Sequence, residues 1–204
     1  MSIHQVESQH SAECWSCGSA HGDDTLFFCN QCGAIQAASD TADYFQLLGV
    51  EPTFMVNLPV IEGKYKALQR KLHPDMYATK QKVEQDFSAD QSSLVNKAYA
   101  TLVNPLSRAI YLLRLRGIEA GDGEEGTMSD FELLSEVMEI REAIEEAEDI
   151  GGLQKLHQEN AEKMRQSGAA FAAALQAGEL QQALEWVHRM TYWDRIDKEI
   201  TRKL

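Results

Sequence analysis

The sequence contains no uninterrupted apolar stretch that approaches the roughly 20 residues needed for a membrane-spanning helix. It also lacks an excess of positive charge, because its 204 residues carry 32 acidic and 19 basic side chains, a net charge of −13. A chain this acidic is poorly suited to bind nucleic acid or an anionic membrane. No targeting segment is visible, since the residues after Met1 show neither an Arg-rich pattern nor an apolar signal core. The length of 204 residues is sufficient for one large or two small domains.

Cysteine is absent after position 32, and all four cysteines lie in two Cys-x-x-Cys pairs. The pairs are Cys14/Cys17 and Cys29/Cys32, and a glycine directly follows each of them. Four thiolates on two short turns satisfy tetrahedral Zn(II), and the glycines let the backbone turn tightly around the metal. Because four protein ligands leave no coordination position open, the spacing predicts a structural Zn(II) site.

Other uses of the cysteines are less favoured. Disulfides would require an oxidising compartment, which nothing else in the sequence indicates. A thiol oxidoreductase normally carries a single Cys-x-x-Cys motif beside a βαβ unit. The nearby His4, His10 and His21 are expected at the surface, because the cysteines already complete a metal site.

From residue 40 onward the pattern is helical. A short helix is predicted over residues 43–49, and an amphipathic helix is predicted from Val60 to Leu72. The apolar residues of the second helix share an arc of about 60° and predict a buried stripe: Ile61, Tyr65, Leu68 and Leu72. Lys66 and Arg70 fall on the opposite side of that helix.

The tripeptide His73-Pro74-Asp75 follows this helix directly. Pro74 disfavours helical geometry at His73, so the tripeptide is predicted to lie on an exposed loop. A further helix is predicted over about residues 83–102, with an inward face formed by Phe87, Leu94, Val95, Ala98 and Tyr99.

The C-terminal part of the chain predicts three helices, over about residues 129–149, 153–176 and 179–202. Gly151-Gly152 and Gly178 mark the predicted connections, and short connections favour an antiparallel bundle. A helix over residues 105–116 and a polar linker at 121–126 precede this bundle. The first bundle helix is expected to face the core with Leu133, Val137, Ile140 and Ile144.

Charge is divided between two segments. Residues 57–82 hold six basic and two acidic side chains, whereas residues 119–150 hold thirteen acidic side chains and one arginine. Blocks of opposite sign suggest two different partners, although a charge run is often merely a solvated helix face. In the acidic segment, Leu134 and Met138 lie beside Glu139, Glu142 and Glu146. An apolar pair with a carboxylate rim is typical of a partner-binding surface, unless the pair simply widens the core stripe.

These segments resemble a known family. Residues 65–75 resemble the second helix and loop of a J-domain. Four further segments resemble the HscB-type co-chaperones of iron–sulfur cluster assembly: residues 43–49, 94–102, 105–113 and 138–144. The cysteine module resembles the N-terminal extension of eukaryotic members, which many bacterial members lack.

The resemblance implies a mostly α fold in three parts. These are an N-terminal zinc-knuckle hairpin at residues 1–39, a helical J-domain with its connecting helix at 40–118, and an acidic three-helix antiparallel bundle at 119–204. It implies an adaptor with no catalytic centre of its own. Eukaryotic relatives work in the mitochondrial matrix, and since no presequence is visible, both a processed mitochondrial form and a cytoplasmic form stay open.

Two partners follow from the resemblance. A DnaK-type ATPase chaperone would be bound and stimulated through His73, Pro74 and Asp75, with charge supplied by Lys66, Arg70 and Lys71. An IscU-type iron–sulfur scaffold protein would be bound through Leu134, Met138, Glu139, Glu142, Glu146 and Tyr192. Two alternatives stay open, a J-protein for a different client and a zinc-ribbon interaction adaptor; oligomeric state is not predicted.

Overall fold

A computed structural model describes residues 13–20, 22, 25–39, 41–119 and 131–204. Over these residues the chain is helical, with isolated antiparallel bridges in place of strands. The helices are α1 (Tyr44–Leu47), α2 (Leu58–Leu72), a 3-10 helix (Pro74–Tyr77), α3 (Lys82–Val103), α4 (Pro105–Arg114), α5 (Phe131–Glu146), α6 (Ile150–Ala177) and α7 (Leu180–Lys203). None of these helices is long and apolar enough to cross a membrane. The predicted mostly α fold is confirmed.

The chain forms two compact units. The first consists of Met1–Glu51 and Asn57–Ala100, and the second consists of Pro52–Val56 and Thr101–Leu204. The division therefore falls inside α3, and the short segment between α1 and α2 belongs to the second unit. The three-part division at residues 39/40 and 118/119 stays a prediction. The predicted linker at residues 121–126, together with His4, His10 and His21, lies outside the described residues.

Local capping explains the helix limits in the first unit. Asp43 and Gln46 form a reciprocal capping box at α1. The side chain of Asn57 accepts a hydrogen bond from the Val60 N–H, so α2 begins at Leu58, two residues before the predicted start. Pro59 fits in this first turn, where a backbone N–H has no helical partner. The helix ends at Leu72, as predicted.

Only part of the predicted stripe of α2 is fully buried. Ile61 and Leu72 are fully buried, whereas Tyr65 and Leu68 are half-buried. The Tyr65 ring stacks on Tyr99 of α3 with the ring centroids 4.0 Å apart. The predicted inward face of α3 is likewise divided between buried and half-buried residues: Val95 and Ala98, and then Phe87, Leu94 and Tyr99.

The second unit is held by an apolar core. Helices α6 and α7 pack along each other, and α4 and α5 pack against both. One cluster of the core contains Leu133, Val137, Ile144, Leu153, Tyr192, Trp193, Ile196 and Ile200, with Ile140 packed against it. The predicted core face of α5 is therefore correct.

One predicted helix connection is wrong. Gly151 and Gly152 lie in the first turn of α6 and do not separate two helices. The Asp149 carboxylate accepts a hydrogen bond from the Gly152 N–H at 2.7 Å, which caps the helix one turn earlier than the glycines suggest. Gly178 does end α6, and its left-handed φ of +78° is the conformation that glycine allows at a helix terminus.

Candidate metal centre and partner-binding surfaces

The four cysteines form one cluster in the first unit. Their Sγ atoms all lie within 4.8 Å of one another. The Cys14–Cys32 and Cys17–Cys29 Sγ distances are 3.7 Å and 3.8 Å. With a Zn–S bond of about 2.3 Å, a tetrahedron of sulfurs has an edge of about 3.8 Å. The cluster therefore fits a metal ion with four thiolate ligands, and all four cysteines are free of disulfides.

Two equivalent turns build this cluster. An antiparallel bridge closes each turn, Glu13 with Ala20 and Phe28 with Ile35. The N–H groups of Gly18 and Gly33 donate to the carbonyls of Cys14 and Cys29 at 2.9 Å and 2.8 Å. Both glycines have left-handed φ angles of +71° and +75°. This is the physical reason for glycine after each Cys-x-x-Cys pair.

The surroundings of the sulfurs shift the pKa values of three of the thiols. The Ser19 hydroxyl lies 3.1 Å from Cys17 Sγ and 3.3 Å from Cys29 Sγ. This hydroxyl lowers the pKa of both thiols, that of Cys29 to about 5. The backbone hydrogen bond from Ala34 lowers the pKa of Cys32, but desolvation and the three neighbouring sulfurs raise it to about 11. Four thiolates therefore need a cation beside them to ionise together.

The cysteine module packs on α3. The Trp15 ring contacts the Phe87 ring edge-on, with the centroids 6.3 Å apart. The amide nitrogen of Gln91 lies 2.8 Å from the carbonyl oxygen of Leu26, 3.2 Å from that of Gln36 and 3.1 Å from that of Ala37. The sequence does not identify Gln91, because a glutamine in a helix carries no signal for a buried contact.

The predicted chaperone-binding tripeptide is exposed and ordered. His73 is the C-cap of α2, and Pro74–Tyr77 forms a 3-10 helix where the sequence predicts a loop. Proline suits the first turn of such a helix, because its φ is already fixed near the helical value. The Asp75 N–H donates to His73 Nδ1 at 3.3 Å, and the Asp75 carboxylate lies 3.5 Å from the same nitrogen.

Contacts from α2 also restrain the 3-10 helix. The Tyr77 hydroxyl donates to the Lys71 carbonyl at 3.2 Å, and desolvation raises the pKa of Tyr77. The arrangement holds the tripeptide in one conformation at the end of α2.

A row of polar side chains on α3 holds α2 in place. Ser88 donates to the buried Leu72 carbonyl at 2.7 Å, and Ser92 donates to Gln69 at 3.3 Å. Asn96 accepts from Tyr65 at 2.9 Å and from Gln69 at 2.6 Å. Ser88, Ser92 and Asn96 are spaced by four residues and therefore share one face of α3. This spacing is visible in the sequence, but a search for apolar periodicity alone does not detect it.

The predicted basic residues lie together with the tripeptide in the first unit. Lys66, Arg70 and Lys71 are all exposed on α2. Lys66 forms an ion pair with Glu62 at 2.6 Å, and this contact raises the pKa of Lys66. Lys64 donates to the Gly49 carbonyl and so connects α2 to the end of α1.

The predicted scaffold-binding residues of α5 form an exposed face. Met138 is 62% exposed and Leu134 is 38% exposed, so neither residue extends the buried core stripe. Glu139, Glu142 and Glu146 are exposed beside them. Tyr192 differs, since it is 8% exposed and belongs to the apolar core of the second unit. Its role in partner binding stays a prediction.

One apolar residue beside this face is not identified by the sequence. Phe131, the first residue of α5, is 83% exposed. A groove next to the face is lined by Phe131, Glu132, Leu133, Ser135, Glu136, Glu139 and Arg189. Phe131 lies at the start of α5 and outside the periodic core face of that helix, so apolar periodicity does not identify it.

Comparison with known families matches both units. The model of the DnaJ domain matches residues 43–111. The model of the HSCB C-terminal oligomerisation domain matches residues 129–201. The tripeptide and its basic helix lie in the first match, and the exposed face of α5 lies in the second.

Relatives of known name match most of the chain. The iron-sulfur cluster co-chaperone protein HscB homolog of Arabidopsis thaliana is 41% identical, over 97% of this chain and 76% of its own length. The crystal structure of human co-chaperone protein HscB matches with a TM-score of 0.85 and 36% identity, over 94% of this chain and 98% of that one. Chaperone HscB from Vibrio cholerae matches with a TM-score of 0.68 and 29% identity, over 79% of this chain and 97% of that one. The chain therefore belongs to the HscB family of J-domain co-chaperones.

Proposed function

We propose that this protein binds an IscU-type iron–sulfur scaffold protein, delivers it to a DnaK-type chaperone, and stimulates the ATPase of that chaperone. The observation that carries the proposal is the presence of two exposed surfaces with opposite charge and different chemistry in one chain. In this proposal the protein is an adaptor, and the chaperone partner carries out the hydrolysis.

The first surface suits an acidic partner. Arg70 and Lys71 are exposed in the last turn of α2. Such cations mainly increase the rate of encounter, and their effect falls as salt is added. His73-Pro74-Asp75 supplies the specific contact, because hydrogen bonds restrain its conformation: the Asp75 N–H donates to His73 Nδ1 and the Tyr77 hydroxyl donates to the Lys71 carbonyl. A preordered segment loses little entropy when it binds.

The second surface suits a partner with an apolar patch inside a basic rim. Met138 and Leu134 offer apolar area that binding would remove from water. Glu139, Glu142 and Glu146 place negative charge along one side of this area, which selects against acidic partners. A desolvated centre with a charged rim is the arrangement that concentrates binding energy in few residues.

The cysteine cluster holds Zn(II) in this proposal. Zn(II) accepts four thiolates in tetrahedral geometry, and the sulfur distances of 3.7 Å and 3.8 Å fit that geometry. When bound, the ion would link the two cysteine turns and would neutralise part of the thiolate charge. Since all four ligands come from the protein, the role is structural.

The test combines binding and hydrolysis. Single-turnover ATP hydrolysis by the DnaK-type chaperone is measured with the unmodified protein and with His73→Gln, and scaffold affinity is measured by calorimetry. The proposal predicts stimulation by the unmodified protein, no stimulation by the variant, and equal scaffold affinity for both. Stimulation without any scaffold affinity would show a J-protein for another client. Absence of stimulation would refute the proposal.

A further inference from the structure

Gln91 occupies an unusual position for a polar side chain. It is 0% exposed, and its amide nitrogen faces three backbone carbonyl oxygens of the cysteine module, those of Leu26, Gln36 and Ala37. A buried donor of this kind contributes only while its acceptors remain in place, because an unpaired buried polar group is costly.

The three acceptors are brought together by the second cysteine turn. Leu26 precedes that turn and Gln36 follows it, and the Gln36 N–H donates to the Phe27 carbonyl at 2.9 Å. The Phe28–Ile35 bridge and the Cys29 and Cys32 ligands close the loop between them. When the turn opens, the Phe28–Ile35 bridge and the Gln36–Phe27 hydrogen bond that hold Leu26 beside Gln36 are weakened, and the acceptors of Gln91 separate. The hydrogen bonds of Gln91 therefore report whether the metal site is closed.

The opposite end of this connection is the tripeptide. Ser88 lies one turn before Gln91 on α3 and is also fully buried. Its hydroxyl donates to the Leu72 carbonyl at 2.7 Å, and Leu72 is the residue directly before His73. Ser92, next to Gln91, donates to Gln69 of α2. The same two turns of α3 thus contact the cysteine module on one side and the end of α2 on the other.

We propose that Gln91 and Ser88 are positioning residues that make the conformation of His73-Pro74-Asp75 depend on metal occupancy of the cysteine cluster. The functional consequence of this coupling rests on the proposed function, since the conformation of the tripeptide affects activity only if the tripeptide binds a chaperone. The path consists of hydrogen bonds between uncharged groups, and the Trp15–Phe87 ring contact supports it. Loss of the metal loosens α3 around residues 88–92 and, through it, the end of α2.

Hydrogen–deuterium exchange on the full chain tests this directly. The chain is loaded with Zn(II), treated with a chelator under reducing conditions, and reloaded with zinc chloride. In the unmodified chain, removal of the metal should speed exchange at residues 73–77 and 88–92 by roughly tenfold, and reloading should restore protection. A response confined to residues 13–39 would overturn the inference.

Substitutions identify the residues that carry the coupling. Gln91→Met keeps the side-chain length and removes the donor, so the zinc-loaded variant should already exchange fast at residues 73–77, and chelation should add little. Ser93→Ala, an exposed change on the same helix, should behave like the unmodified chain. A Gln91→Met chain that responds to chelation as the unmodified chain does would contradict the assignment.

A second variant covers the case in which Gln91→Met does not fold. Ser88→Ala leaves the module contacts intact, so chelation should still change exchange near residue 91 but should no longer change it at residues 73–77. The exchange result is independent of ATPase stimulation. Coupled exchange in a chain that stimulates no chaperone would refute the proposed function alone, and stimulation without coupled exchange would refute this inference alone.

Discussion

The surface at the end of α2 and the exposed face of α5 are held by different forces. In the first unit, α2 buries only Ile61 and Leu72 completely, and its position relative to α3 depends on directional hydrogen bonds from Ser88, Ser92 and Asn96. In the second unit, α5 rests on a continuous apolar cluster. Hydrogen bonds fix geometry narrowly, whereas apolar packing tolerates small shifts. The tripeptide surface is thus the more precise of the two and the more sensitive to its supports.

The surfaces also differ in what they present to a partner. The α2 surface offers exposed cations and a restrained tripeptide, and the α5 face offers exposed apolar area beside exposed carboxylates. In the proposed function, the first arrangement sets the rate of association with the chaperone and stimulates its ATPase, and the second sets the affinity for the scaffold. The following changes separate these properties, beginning with the largest expected effect.

Removal of metal ligands should affect the first unit most strongly. In a Cys14→Ser, Cys29→Ser chain the cluster loses both of its buried ligands. Structural zinc contributes on the order of 10 kcal/mol in small modules, and loss of even part of this should melt the cysteine module. Calorimetry should then show destabilisation of the first unit with the transition of the second unit unchanged. Equal loss in both units would contradict the separate support of the two surfaces.

His73→Gln should remove the trigger and leave the second surface intact. Glutamine cannot reproduce the position of Nδ1, which accepts the Asp75 N–H. ATP hydrolysis by the chaperone should return to its unstimulated rate, while scaffold affinity stays the same. A variant that retains full stimulation would show that the tripeptide is an ordinary helix end.

Met138→Ala combined with Glu142→Ala should weaken scaffold binding by about 2 kcal/mol, roughly thirtyfold in Kd. The change removes apolar area and one rim charge without touching the core. Its matched control is Ile150→Ala with Glu185→Ala, which makes the same kinds of change at exposed positions outside α5. Calorimetric titration with the scaffold measures both. An equal loss in the control would show a nonspecific effect.

Arg70→Ala should give the smallest effect, a decrease of a few-fold in the association rate with the chaperone. The decrease should be greatest at low salt, because exposed charges more than about 10 Å apart are screened at 0.1 M ionic strength. Lys97→Ala, an exposed lysine of α3, serves as the comparison. Stopped-flow measurements over a series of salt concentrations give the two rates. Identical salt dependence in both variants would show that Arg70 does not belong to the chaperone-binding surface.

Periodicity and capping signals predicted much of this fold. The end of α2 at Leu72, the cysteine cluster and the buried face of α5 all follow from local residue patterns. The start of α6 does not, because the Asp149 cap competes with the helix-breaking tendency of Gly151 and wins. The capping side chain of Asp149, which accepts from the Gly152 N–H, outweighs the low helix propensity of both glycines.

Contacts distant in sequence were the part that could not be predicted. Gln91 contacts carbonyls more than fifty residues earlier in the chain, and nothing in its neighbours indicates this. Tyr192 is buried in the core, whereas the α5 members of its predicted group are exposed. Both positions depend on which helices pack against each other. Local sequence patterns do not show which distant residues come into contact.

The most direct test of the account is chaperone ATP hydrolysis in a single turnover, with and without the scaffold. Three chains are compared: the unmodified protein, His73→Gln, and Met138→Ala with Glu142→Ala. The account predicts that the scaffold adds to stimulation by the unmodified protein, that His73→Gln gives none, and that the α5 variant stimulates but loses the added effect of the scaffold at limiting concentration. A scaffold effect that survives the α5 change, or stimulation that survives loss of His73, would contradict the claim that two separate surfaces make this protein an adaptor.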